Sequence, residues 1–234
     1  MSPLPLPRRV VIGADAHTEL IAQLREVRPD LDVRGNAPTD ITEADFSWGD
    51  TYIGFKRPPL PTMGNIRWVH CTGAGVDAWL YPTELPRSIL LTRTSESFGT
   101  YIAEWALARA LAFTQQIFDL NDCQQRHEWR PREVRYIRGS RALIVGTGEI
   151  GSRIGRLFSA LGCSVRGVSR SGQGDPDIFT STVSVDRLGE SVADADWLIV
   201  TIPLTTETRG LIGRDVMSAC HGAFMIKAGR GAVV

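Results

Sequence analysis

The sequence predicts an α/β protein made of two units, each with a parallel sheet. Three observations point there. Short apolar runs alternate with longer amphipathic ones along the chain, as in strand–helix–strand repeats. One run, Ala142-Leu143-Ile144-Val145, is apolar without alternation, as a strand covered on both faces should be. That run leads at once into a glycine-rich turn and an amphipathic helix, which is a parallel-sheet signature.

Taken in order, the first strand is read at residues 9–13 and a helix at about 19–26, ending before Pro29. Further strands are read at 31–34, 50–54, 67–70 and 89–91. The strand at 50–54 runs into the turn Lys56-Arg57-Pro58-Pro59, and the one at 67–70 runs into Thr72-Gly73-Ala74-Gly75-Val76-Asp77. These elements form a first unit, residues 1–98. A connecting helix is expected from residue 100 to at least 119, within a segment 99–120. Ile102, Trp105, Ala106, Ala110, Phe113 and Ile117 share its 3- and 4-residue spacing with Arg109, so that face should be buried. Polar sequence without a helix is expected at 121–138, where Pro131 would break one. The second unit, 121–234, has strands at 142–145, 165–169, 197–202 and 223–227 and a helix at 149–161. Ile150, Ile154, Leu157, Phe158 and Leu161 form that helix's buried face, and Gly162 ends it. Residues 229–234 read as the start of a loop and helix.

Composition excludes several function classes. The chain has 234 residues, 26 Lys+Arg against 26 Asp+Glu, and formal net charge zero. That argues against nucleic-acid binding through bulk charge. No uncharged apolar stretch of ~18 residues exists, so no membrane span is expected. The N-terminal segment holds three prolines within 1–7 and no apolar core of a secretory signal. Four cysteines, at 71, 123, 163 and 220, show no metal-binding spacing, so no metal is expected. They read as reduced, mostly buried thiols of a cytoplasmic protein.

The turn Gly146-Thr147-Gly148-Glu149-Ile150-Gly151 is G-x-G-x-x-G between a strand and a helix. Gly146 permits the tight turn, Gly148 the approach of a pyrophosphate, and Gly151 close packing of helix on strand. The phosphates would sit on free N–H groups at the helix start. A carboxylate about 20 residues further on would bind the ribose hydroxyls of NAD. Here that place reads Val168-Ser169-Arg170-Ser171, with no acid before Asp175. Arg170 suits a 2′-phosphate, which favours NADP over NAD. The alternative is a solvated Arg170 and either cofactor.

Further motifs lie in order around that turn. They are Gly73-Ala74-Gly75-Val76-Asp77, Ile102-Ala103-Glu104, then Ile202-Pro203-Leu204-Thr205-Thr206-Glu207-Thr208-Arg209-Gly210, then Ala228-Gly229-Arg230-Gly231. With them the chain resembles the D-isomer-specific 2-hydroxyacid dehydrogenases from about Val10 onward. The Ser-Arg after the second strand is most similar to the glyoxylate/hydroxypyruvate reductase branch. The resemblance implies two Rossmann-like domains with an active site in the cleft between them, and reduction of a small 2-oxo acid to the D-2-hydroxy acid. It implies that Arg230 holds the substrate carboxylate and polarises its carbonyl. It further implies that Gly73, Ala74, Gly75 and Val76 grip that carboxylate through backbone N–H groups. Ile202 and Pro203 would line the cofactor, and Ala228 and Gly229 would lie near the nicotinamide. Arg57 would face the substrate, against the plainer reading of a surface charge. Relatives are commonly homodimers, with the helix matching 100–118 at the interface.

The family's catalytic glutamate and general-acid histidine lie beyond its Gly-Arg-Gly motif. This sequence continues three residues past Gly231, so neither position is in it, and the second domain is expected to be incomplete. Among the histidines, His70 is the one near the 73–76 loop; all four, His17, His70, His127 and His221, read as structural or surface residues. Glu104 and Arg109 lie five apart and do not share a helix face. Asp194 and Asp196 read as solvated turn residues. The rival readings are a non-catalytic NAD(P)-binding regulatory protein and an inactive, truncated fragment.

Overall fold

The computed structural model describes residues 5–81 and 83–234. The chain divides into two compact units between Ser95 and Glu96.

The first unit begins with β1 (Arg9–Gly13), α1 (His17–Val27), β2 (Asp32–Asn36) and α2 (Glu43–Trp48). It continues with β3 (Thr51–Gly54), β4 (Trp68–Cys71), α3 (Asp77–Leu80) and β5 (Leu90–Arg93). Its five strands are parallel, in the order β2-β1-β3-β4-β5. That is one of the two common doubly wound orders, and its direction reverses between β1 and β3. One face of the sheet carries Val11, Phe46, Tyr52, Val69, Cys71 and Trp79. The other carries Val10, Ile12, Leu31 and Val33. Helix α2 opens on a capping box in which Thr42 and Asp45 satisfy each other's backbone N–H.

The second unit begins with α4 (Gly99–Thr114) and α5 (Ile117–Gln125). Then come β6 (Arg141–Val145), α6 (Glu149–Ala160), β7 (Ser164–Ser169) and β8 (Ser181–Ser184). Last are α7 (Leu188–Ser191), β9 (Trp197–Val200), α8 (Arg214–Ala219) and β10 (Phe224–Lys227). The sheet is parallel in the order β10-β9-β6-β7-β8, with the reversal between β6 and β9. In chain order this is the dinucleotide-binding arrangement. Gly162 stands at φ +82°, the left-handed residue that closes α6.

Both sheets are pinned by the same device at the amino ends of their strands. The carboxylate of Asp50, just before β3, accepts the N–H groups of Arg8 and Arg9 at 3.0 Å each. In the second unit Asp196, just before β9, accepts the Arg141 N–H at 2.8 Å and its guanidinium at 3.3 Å. Burial alone would raise the Asp196 carboxyl, but the Arg141 hydrogen bonds and charge bring it below its ordinary value. Asp194 pairs with Arg166 and is held low by that bond. Both aspartates are exposed residues of the turn before β9, as expected, and each also forms a surface ion pair.

The long helix also differs from its expectation. It stops at Thr114, because Gln116 turns left-handed at φ +51°. The break is held by chain returning from far away. Arg135 donates its N–H to the Thr114 carbonyl at 2.9 Å. Gln115 donates to the Arg135 carbonyl at 3.0 Å, and Gln116 donates to the Glu133 carbonyl. Helix α5 then occupies 117–125, part of the stretch expected to be irregular, and buries Cys123. The buried face of α4 is Gly99, Ala103, Ala106, Ala110 and Thr114, whereas Trp105, Phe113 and Ile117 are 43–50% exposed. Small side chains let α4 lie close against α6 within the second unit.

Strands β8 and β9 depart in smaller ways. The 181–184 strand carries no apolar run and was invisible to pattern reading. Strand β9 ends at Val200, two residues early, because the Thr201 hydroxyl bonds the carbonyls of Val145 and Gly146 at 3.2 and 2.9 Å. Residues 231–233 form a 3-10 turn.

Candidate active site

The second unit builds its site at the carboxyl ends of β6 and β9, where the strand order reverses. Such reversals open a crevice for ligands. Gly146 leaves β6 at φ +104°, and a side-chain carbon there would meet Thr201 Oγ1 at 2.7 Å. A side-chain carbon on Gly151 would meet the Gly146 carbonyl oxygen at 1.8 Å, so α6 packs directly beneath the turn. Gly148 is different, since a side-chain carbon there meets nothing within 4 Å. The first intrahelical bond of α6 is Ser152 N–H to the Gly148 carbonyl at 2.8 Å. The N–H groups of Glu149 and Ile150 therefore precede the helix ladder and border that open space. An anion fits there: the cradle is free of side chains, and the helix start carries partial positive charge.

The side chains of Glu149 and Ile150 point elsewhere. Ile150 packs against the core. The Glu149 carboxylate lies against Gly99 at the start of α4, 3.7 Å from Arg153. One of its oxygens, Oε1, is buried without a hydrogen-bond partner. Only the backbone of these two residues is available to a ligand.

At the end of β7, Ser169 donates its hydroxyl to the Gln173 carbonyl at 2.8 Å and accepts the Gln173 N–H at 2.9 Å. The Thr147 hydroxyl reaches the same carbonyl at 3.0 Å, so the glycine turn and the 169–173 turn are tied at one oxygen. Ser169 thus shapes the turn, and Arg170 is exposed on it.

The loop after β9 is folded by its threonines. Thr205 N–H donates to Thr208 Oγ1 at 2.8 Å, Thr208 N–H to Thr205 Oγ1 at 3.2 Å, and Thr208 Oγ1 to the Pro203 carbonyl at 2.7 Å. This box fixes the chain just after Ile202 and Pro203, and Ile202 lies beside Gly146. A side-chain carbon on Gly229 would come within 2.9 Å of the Ile202 carbonyl, so the 202–203 and 228–229 segments touch. Ala228 donates to the Val200 carbonyl at 2.9 Å and extends the sheet. Arg230 follows, capping the 231–233 turn with its carbonyl. The sequence motif contained Thr205 and Thr208 without showing that they pair, and it gave no sign of Thr201 or of Lys227, whose ammonium is 3.8 Å from where a Gly231 side chain would begin.

In the first unit the 73–76 loop joins β4 to α3. Phe55 lies against Gly73, where a side-chain carbon would meet its ring at 2.3 Å. Arg57 donates to the Thr83 carbonyl at 3.2 Å, which directs it to the segment before Leu85. His70 has one ring nitrogen 2.9 Å from Thr92 Oγ1 and the other 3.1 Å from Thr94 Oγ1, and burial lowers its pKa. It is a structural histidine of the β4–β5 ladder. The His17 ring is 2.9 Å from the Ala14 carbonyl.

The four cysteines are free, and burial raises the thiol pKa of Cys163 and Cys220. Among the described residues, no group of three metal-ligating side chains occurs and no helix is long and apolar enough to cross a membrane.

A doubly wound parallel sheet with a glycine-rich strand–turn–helix at its reversal point is the fold of nicotinamide-dependent dehydrogenases. Comparison makes this particular. Residues 107–234 match the model of the D-isomer specific 2-hydroxyacid dehydrogenase NAD binding domain, and the chain belongs to that family. Glyoxylate/hydroxypyruvate reductase A of Serratia proteamaculans is 29% identical over 226 residues, covering 92% of this chain and 69% of that protein. A D-isomer specific 2-hydroxyacid dehydrogenase family protein from Aeromonas salmonicida has a similar structure, with TM-score 0.86 at 25% identity, covering 97% of this chain and 74% of the other. The NADPH-dependent glyoxylate/hydroxypyruvate reductase of Sinorhizobium meliloti, solved with NADP and sulfate, aligns with TM-score 0.81 at 25% identity over the same shares.

Proposed function

We propose that this protein binds NADPH in preference to NADH and acts on a small 2-oxo acid of the glyoxylate or hydroxypyruvate type, giving the D-2-hydroxy acid. The carrying observation is the open cradle at Gly148, with the Ile202–Gly229 contact beside it and Arg230 next in the chain. When bound, the cofactor supplies the hydride. The Glu149 and Ile150 amides hold its pyrophosphate, between Gly146 and Gly151. Arg170, on the turn shaped by Ser169, pairs with the 2′-phosphate. Ile202, Pro203, Ala228 and Gly229 line the nicotinamide side.

Arg230 orients the substrate carboxylate bidentately and polarises the carbonyl. In the first unit the amides of Gly73, Ala74, Gly75 and Val76 hold a carboxylate, with Arg57 as a further cation. In this reading residues 1–98 serve the substrate, 99–120 connect, and 121–234 serve the cofactor. A second copy of the chain covers the exposed aromatic face of α4 and α5, where Tyr101 is 75% and Phe118 is 63% exposed. Light scattering at twice the chain mass supports that homodimer, and a monomer at micromolar concentration excludes it. The free thiols fit a cytoplasmic protein.

Carbonyl reduction also needs a proton donor poised near neutral pH. His70 is engaged by two threonines, and His221 precedes β10 at the strand end opposite Arg230. The second reading is a non-catalytic NAD(P)-binding protein. The test is calorimetric binding of NADPH followed by NADPH oxidation with glyoxylate, with and without added imidazole as external acid. Binding with imidazole-accelerated turnover supports the reductase. Binding without turnover in either case supports a non-catalytic binding protein, and no NADPH binding defeats both.

A further inference from the structure

We propose that Arg93 is the positioning residue of the 73–76 loop. It turns the Ala74–Gly75 peptide so that the Gly75 N–H faces an incoming carboxylate. The inference rests on the reading that this loop holds the substrate anion.

The loop contains Gly73 and Gly75, which leave its backbone free to adopt many conformations. A loop that is to grip an anion must be held before the anion arrives. Two contacts hold it from the sheet below. Arg93, the last residue of β5, donates its guanidinium to the Ala74 carbonyl. Cys71, the last residue of β4, has its thiol 3.5 Å from the Gly75 carbonyl. Cys71 and Arg93 are direct partners in the β4–β5 register, so the two anchors stand side by side.

Peptide planarity gives these contacts their consequence. In a trans peptide the C=O of one residue and the N–H of the next point in opposite directions. Fixing the Ala74 carbonyl on Arg93 therefore aims the Gly75 N–H away from it. Fixing the Gly75 carbonyl on Cys71 likewise aims the Val76 N–H. Neither N–H meets an acceptor among the described residues. Two successive free amides, oriented from behind, make a small anion-binding concavity. Of the two anchors Arg93 is the stronger, because a charged guanidinium bonds a carbonyl more tightly than a thiol does. Its side chain is exposed, so the bond is not needed for burial of the core.

The test compares wild type, Arg93→Ala and Arg93→Lys. Each is titrated with glyoxylate in the presence of saturating NADPH, and the amide resonances of Gly75 and Val76 are followed in ligand-free protein. Arg93→Ala should weaken glyoxylate roughly tenfold or more, shift both resonances, and leave NADPH affinity unchanged. Arg93→Lys, which keeps a charged donor, should recover part of the loss. Unchanged glyoxylate affinity in Arg93→Ala overturns the proposal. If wild type itself fails to bind glyoxylate, the substrate reading falls, and the resonances decide: a shift upholds the positioning role and no shift overturns it. If Arg93→Ala does not fold, the same two readouts in Arg93→Lys apply, with an intermediate loss upholding the role and wild-type values overturning it.

Discussion

The Gly146 carbonyl oxygen occupies the space beside Gly151 that a side chain would need, 1.8 Å from the position of a first side-chain carbon. At Gly148, two residues from Gly146, the corresponding space is empty. The three glycines of one motif thus answer to different constraints. Two satisfy the protein's own packing, and one leaves room for something else.

Alanine substitutions should separate these roles. Gly151→Ala forces α6 away from the turn and should cost about 1–3 kcal/mol or more, seen as a lower denaturation midpoint. Gly148→Ala should melt as wild type does, because Gly148 has an ordinary extended conformation and no neighbour to strike. It should nonetheless weaken NADPH at least tenfold in calorimetry. Wild-type NADPH affinity in Gly148→Ala would show that no phosphate approaches there.

Arg170 should set the choice of cofactor. Glu207 is kept ionised by hydrogen bonds from the 205–206 hydroxyls, with a smaller contribution from the nearby Arg170 charge. Arg170→Gln should lose roughly tenfold to hundredfold in NADPH affinity, the scale of one or two charge-assisted bonds. NADH affinity should change little. Equal losses for both cofactors would remove Arg170 from 2′-phosphate recognition.

Tyr52 carries a fully buried hydroxyl with no hydrogen-bond partner, wedged between Gly13 and Gly54. Burial pushes its pKa well above that of an ordinary phenol. Tyr52→Phe keeps the ring contacts with Phe46 and Trp79 and removes the unpaired group. It should gain about 1 kcal/mol, read as a rise of a few degrees in melting temperature. A fall would mean that the hydroxyl is satisfied.

His70 should make stability depend on pH. Its folded pKa lies below the ordinary 6.5 because burial disfavours the imidazolium. The unfolded chain therefore takes up the proton first as pH falls. Stability from this residue is complete above about 6.5, declines below it, and levels off once the folded pKa is passed. Urea unfolding across this range should show a shallower decline in His70→Gln. Parallel pH profiles for the two proteins would refute the assignment.

Much of this molecule was readable from local sequence. The unalternating run at 142–145 specifies a strand covered on both faces, and the glycine turn after it specifies where a helix must start. The strands of the first unit fall within a residue or two of their expected places for the same reason. Apolar spacing over five to fifteen residues reports directly on which side of an element meets water. The ordered motifs from Gly73 to Gly231 named the family for the same reason, since each is a short contiguous string.

Tertiary structure decided what depends on residues far apart in the chain. Helical spacing alone would continue α4 through Gln116, but hydrogen bonds to Glu133 and Arg135 stop it. Of the expected face, Ala106 and Ala110 are buried and Ile102 packs on the core, but Trp105 is exposed because close approach to α6 selected small residues. Asp196 is solvated as expected, but its pairing with Arg141 depends on β6 lying beside β9. Arg93 carries no sequence signal, because its meaning lies in a carbonyl nineteen positions earlier. In each case the deciding energy is a pairing between distant segments, and periodicity holds no record of which segments meet.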